Sequence, residues 1–426
     1  MLSSVLFLSI TAHAADFVLI AETDSGCQLY LDGVDLFAEG CNVNIISGSG
    51  ATDDDGSLTG LGNLTVGYNT MAVETSGSHN LIVGDRHTYS SYGGLLAGSS
   101  NTISAPYAAV TGGSSNTARG HAAVVSGGSS NTARGSYSAV NGGFVNEARG
   151  TAAAVNGGQR NVASGYGAAV SGGYDNLANG SYAAVGGGRQ GVASGYTAAV
   201  SGGRNNTASG LHAAVSGGYA NKARGDSTAA TGGLHNRAVN PYSTVSGGAF
   251  NTARGDYSTI SGGQENTTFG DYAAISGGRE NTASGFHATV SGGTDNTASG
   301  EYATVSGGVD NRASGPLTAI SGGGHNHAEG DSSAISGGYL NWTRELYDAI
   351  SGGYANQTRG SYSSISGGWS NITFGRYASV TGGRNNDAFG YSSSINGGYS
   401  NQATGDYSTA SGGINVRAGS WAGHYY

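Results

Sequence analysis

Small and apolar residues alternate with polar ones in two kinds of short run, typified by "YAAVTGG" (107–113) and "NTARG" (116–120). Both runs are too short for a helix, and both end in glycine. Alternation in the first run puts Ala108 and Val110 on one face and Ala109 and Thr111 on the other. In the second run Asn116 and Ala118 share a face. The order of the runs is strict. The glycine pair recurs every 15 residues from Gly112-Gly113 to Gly412-Gly413, making 21 copies. Asparagine keeps the same interval from Asn101 to Asn401 and is replaced only at Gly191. A lone glycine four residues after each asparagine runs from Gly120 to Gly405, replaced only at Asn240 and Glu345.

Fifteen residues cannot hold a helical hairpin, so the economical unit is two short strands and two glycine turns. The inward rows follow from the alternation. Val110, Val125, Val140 and Val155, later Ile260, Ile275, Ile320 and Ile335, are branched, while Ala118, Ala133, Ala148 and Ala163 stay small. One coil cannot bury so thin a stripe by itself, so successive coils must stack as parallel strands about 4.8 Å apart. The predicted fold is therefore all-β, a parallel β-solenoid or β-roll about 100 Å long. Asn116, Asn131, Asn146, Asn161, Asn206, Asn251, Asn281 and Asn296 fall in an inward row, where stacked amides are expected to pair as an asparagine ladder. The lone glycine is expected at positive φ, because Asn240 tolerates that conformation. Glu345 fits it poorly and predicts a strained turn. Ala230, in the branched row, predicts a weak coil.

Composition narrows the class. Glycine is 80 of 426 residues with three prolines, and the pattern is neither collagen-like nor that of a proline-rich disordered chain. Net charge is −9, from charged residues that make up only 11% of the chain. Lys222 is the single lysine and the arginines are scattered, so no basic patch points to nucleic acid. The start, "MLSSVLFLSITAHAAD", carries a short apolar run and a cleavable-looking Ala12-His13-Ala14, which predicts a leader over 1–14 and secretion or surface display. Cys27 and Cys41, the only cysteines, are expected to form a disulfide stapling the first coils. Residues 15–58 read as an irregular β-rich approach segment, 59–100 as imperfect coils, 101–419 as the regular solenoid and 420–426 as an aromatic tail covering its edge. No run suits a membrane-spanning helix, so no transmembrane anchor is expected in this chain.

The alternation of "AVSGG" with "NTASG" resembles the head repeats of YadA-like trimeric adhesins. The blocks "GLGNLTVGYN", "SGSHNLIVG", "SSYGGLLAG" and "NTISAPYAAVTGG" are similar to a group of secreted bacterial repeat proteins. Over residues 42–415 the resemblance implies a left-handed β-roll and side-by-side trimers. This chain departs from the adhesin pattern in its 15-residue coils and in lacking a coiled-coil stalk and C-terminal barrel strands.

Chemistry is sparse. His325, His327 and Glu329 in "GGGHNHAEG" alternate onto an outer face with a spacing that suits a metal, but that face also holds Trp342, Lys222, Asp387 and Thr282 in other coils. Asp53, Asp54 and Asp55 read as a solvated acidic turn rather than a cation site. No nucleophile motif, paired catalytic acids or cofactor motif stands out, so no enzyme, metal or cofactor is expected. The outer faces differ in tolerance. One strand's outer row runs Thr117, Glu147, Val162, Leu177, Lys222 and Trp342; the other holds only Ala, Thr, Val or Ser beside a column rich in Tyr. Tyr257, Thr259, Tyr272, Ala274, Tyr302 and Thr304 accordingly mark an expected self-association face. The sequence points to a structural or adhesive homo-oligomer, trimer or filament, with a surface or glycan ligand. An ice-binding protein and a tailspike-like fibre with a carbohydrate-binding or carbohydrate-cleaving site are the alternatives.

Overall fold

A computed structural model describes residues 17–22, 26–70, 72–419 and 424–425. The expected leader and residues 420–423 and 426 of the tail lie outside them. Each regular coil lays down two two-residue strands, such as Ala109–Val110 and Thr117–Ala118. These pair in parallel, in register, with Val124–Val125 and Thr132–Ala133 one period later. About 24 coils stack into a solenoid with turns of roughly 15 residues. A third ladder, one residue per coil, runs from Ser99 through Ser114, Ser129 and Phe144 to Ile414. Single-residue bridges show no alternation, which is why the sequence pattern indicates only two strands. His424–Tyr425 pairs with Thr409–Ala410 and extends one sheet past the last regular coil.

The approach segment is separate in character: β1 (Phe17–Glu22), β2 (Gln28–Asp32) and β3 (Asp35–Glu39) form an antiparallel sheet. The Cys27–Cys41 disulfide, with Cα atoms 4.9 Å apart, closes the β2–β3 hairpin at its open end and does not staple the coils. The expected link fails because 14 residues span a hairpin as readily as a coil.

Val110, Val125 and Ile275 with Ala118 and Ala283 form the apolar interior, all at most 1% exposed. The eight asparagines named above are buried as well. Their bonding differs from the stacked amides expected. Asn131 Nδ2 donates to the carbonyls of Gly127 and Gly143, each at 2.9 Å, and its Oδ1 accepts the backbone N–H of Asn146 at 2.9 Å. The amide thus satisfies backbone groups that sharp turns leave without partners.

The lone glycine is also explained differently. Neither Gly120 nor Asn240 nor Glu345 has positive φ. A Cβ on Gly120 would collide with the carbonyl oxygen of Gly135 in the next coil. The left-handed residues are instead the Tyr107 row, two positions after the lone glycine, and the Ser115 row before each asparagine, along with Gly113 and its equivalents. Tyr137 has φ 59°, Ser130 φ 58°. Such residues are costly in isolation. Here the reversed N–H meets the preceding coil: Tyr137 donates to His121 at 2.8 Å and Ser130 to Ser114 at 3.0 Å.

Two irregularities test this reading. At Gly191 the backbone N–H still bonds Asn176 Oδ1 at 2.8 Å, but no side chain is present to reach Gly187, Gly203 or the N–H of Asn206. Gly191→Asn should restore these bonds and slow hydrogen exchange of the Asn206 amide by roughly tenfold, the effect of about 1 kcal/mol. Unchanged exchange would refute the assigned role of the row. At Ala230 the apolar interior divides into two clusters, one ending at Ala230 and one starting at Ala238. Ladder bonds there lengthen, with Ser216 N to Ala230 O at 3.3 Å against 2.9 Å for Ser201 N to Val215 O. Amides beside Ala230 should therefore exchange faster than those beside Ile275, and equal protection would contradict the packing argument.

Candidate functional site

Two outer surfaces are available to a partner. The first carries the Ala109 row, with Thr259, Ala274 and Thr304 half-buried in it and exposed serines such as Ser261 and Ser276 alongside. Tyr257, Tyr272 and Tyr302 stand at the turn before this strand, not on its flat face, each about half exposed at φ 56–59°. Their rings stack on one another and on His287, with Tyr257–Tyr272 centroids 5.0 Å apart and planes 3° from parallel. Ring faces inside the stack are covered, so the column offers edges and hydroxyls.

The glycines beside this face separate by cause. Gly113 and its equivalents are demanded twice, by positive φ and by collision with the next coil; the Gly120 row is demanded by collision alone. In the Gly112 row only Gly397 and Gly412 have positive φ, at 154° and 151°. From Gly127 to Gly382 an added Cβ would meet nothing within 4 Å, and φ lies outside the left-handed region. Neither contact nor φ within a single chain explains why these copies keep glycine.

The second surface, the Thr117 row, accepts every kind of side chain. His327 and Glu329 lie on it, 3.4 Å apart, and Trp342 stacks on His327 while its Nε1 donates to Glu329 Oε2 at 3.1 Å. Arg344 covers Trp342 at 3.4 Å from the ring centroid. Burial lowers the His327 pKa. His325 belongs to the preceding left-handed turn and pairs with Asp310 at 2.7 Å, so the three residues do not share a face. Among the described residues no group of three or more His, Cys, Asp or Glu is placed to hold a metal.

The acidic turn also departs from expectation. Asp54 is buried rather than solvated and accepts from Ser47 Oγ at 2.5 Å, Ser49 Oγ at 2.7 Å and Thr59 N at 2.8 Å. These donors, the Ser47 hydroxyl foremost, hold its carboxyl far below the usual range. A carboxylate so occupied fixes the loop.

The Thr117 face also carries a small basic groove. Lys222, Arg224 and Arg237 line one groove of about 350 Å³, and Arg254 follows on the next coil. Residues spread over the sequence at multiples of the period become neighbours in the stack.

One buried acid was not singled out in the sequence. Asp348 replaces the usual small inward residue in the turn that contains Glu345, and accepts from the N–H of Glu345 at 3.0 Å and of Ser363 at 3.1 Å. Burial raises its pKa despite these amides and the nearby Thr358 hydroxyl, which stays outside bonding geometry. The same turn elsewhere shows hydroxyl pairs, Ser258–Thr268, Ser333–Thr343 and Ser363–Thr373. Glu345 and Asp348 thus form a compensated pair. Asp348→Ala alone should destabilise this coil by about 1–3 kcal/mol by orphaning the Glu345 amide; adding Glu345→Gly should recover most of it. A double-mutant cycle by local hydrogen exchange measures the coupling, and additive losses would reject it. The folded pKa exceeds the unfolded one, so the contribution of Asp348 is complete below the ordinary carboxylate range and lost as pH rises through the raised pKa. Asp348→Asn should therefore gain on the parent with rising pH.

A scan against protein-family models and a search of curated proteins found no match to this chain.

Proposed function

We propose that the protein is a secreted or surface-displayed structural and adhesive rod that associates with copies of itself through the Ala109–Gly112 face and leaves the Thr117 face for display. The observation that carries this reading is the Gly112 row, kept as glycine from Gly127 to Gly382 although a side chain there would meet only open space and φ does not demand it. A requirement absent inside one chain points to a surface pressed against it. The neighbouring rows agree, since Ala, Thr and Ser project little and leave a flat strip between the Tyr column and the glycines. At about 10 Å wide and about 100 Å long, the strip gives on the order of 1,000 Å² per copy, enough for a stable interface. The resemblance to trimeric adhesin heads supports rods side by side. The disulfide supports an oxidising compartment.

Gly277→Arg and Ala274→Arg both place a long charge on the strip, and Gly277 has room for it in the single chain. Light scattering should show each variant converted to a smaller species, while Thr282→Arg on the display face keeps the parent mass. A monomeric parent would overturn the proposal. Thermal hysteresis from such a monomer would assign the strip to ice.

A further inference from the structure

In the groove beside the break at Ala230 three cations gather on adjacent coils outside any ion pair of the described residues. Arg134 and Arg149 flank Glu147, Arg160 meets Asp175 at 2.9 Å and Arg279 meets Glu280 at 2.5 Å. Lys222, Arg224 and Arg237 take part in no ion pair among the described residues. The nearby Asp226 carboxylate accepts the N–H of Leu211 at 3.2 Å.

Register makes the arrangement costly. Lys222 and Arg237 are direct partners on adjacent parallel strands, so two like charges stand about 4.8 Å apart at their Cα atoms. Arg237 Nε is buried with no hydrogen-bond partner. A guanidinium donor left bare beside a strand partner of like charge is destabilising unless something negative completes it. His235 and Phe250, stacked at 5.2 Å, supply an aromatic wall.

We propose that this groove binds an oxyanion of the sulfate or phosphate type, free or carried on a sugar chain, held by Lys222, Arg224 and the Arg237 guanidinium. Planar N–H groups on Arg237 and Arg224 match the oxygens of a tetrahedral anion, and Lys222 adds a point charge. The ligand spans the seam between the two apolar clusters, since Lys222 belongs to the coil of Ala230 and Arg237 to the next. A densely charged polymer such as nucleic acid is disfavoured by the net charge of −9 surrounding so small a patch.

Calorimetric titration of the full chain at low salt, with sodium sulfate in one arm and a trisulfated disaccharide in the other, tests the site. Saturable binding at one site per chain is expected. Arg237→Gln and, separately, Lys222→Gln should weaken it by roughly tenfold or more, the loss of one charge-assisted hydrogen bond. Arg119→Gln, which removes the same charge from a distant coil, should change it by less than about twofold, as expected for a screened exposed charge. Binding of the disaccharide alone supports a sugar-borne anion; equal dependence on Arg237 for sulfate supports the free ion. No saturable binding in either arm, or equal weakening by Arg237→Gln and Arg119→Gln, would overturn the proposal.

Discussion

The buried asparagine side chain joins the backbones of two successive coils. Through Asn131 the carbonyl of Gly127 in its own layer, and the carbonyl of Gly143 and the N–H of Asn146 in the next, are all satisfied. Two-residue strands contribute few ladder bonds, and the turns between them turn peptide groups toward a largely apolar interior. One amide with two donors and one acceptor meets that need in every regular coil except that of Gly191. The second glycine of each pair follows from it, because a Cβ on Gly113 would come within 2.8 Å of Asn116 Nδ2. The narrow interior follows too, since Asn, Ala and one branched residue leave room for little else.

The period, the inward rows and the solenoid were legible in the sequence, because each is a matter of spacing. The reasons for individual glycines were not. Gly120, Gly113 and Gly112 look alike on the page, yet the first avoids a collision, the second also needs positive φ, and the third has no cause within the chain. Asn240 misled in the same way, as a residue that tolerates the left-handed region but does not occupy it. Tyr at such a φ is counterintuitive until its N–H is seen to bond the preceding coil. The basic groove was hidden because Lys222 and Arg237 are one period apart, which reads as dispersion until the coils are stacked. Asp348 was hidden by the opposite effect, a single substitution in a row of small residues whose partner, Glu345, lies in the same turn.

Function divides along the same lines. A strip that stays small in every coil and a surface that accepts Thr, Glu, Leu, Lys or Trp at equivalent places experience different constraints within one chain. Stacking makes such a division simple, since outward side chains seldom touch the interior and can change without disturbing it. Inward hydroxyls pair in some coils, as Ser258 with Thr268 and Ser363 with Thr373 show, whereas Ser138 and Ser393 face Ala148 and Ala403.

The divided interior at Ala230 also gives the rod a mechanical character. Repeats that touch only their neighbours transmit load in series, so a lateral force is borne by every junction and yielding begins at the most compliant one. With the branched side chain missing there, bending strain concentrates at that junction while the coils on either side stay straight. The rod then bends most readily at one junction, whose place is set by the methyl groups missing at Ala230.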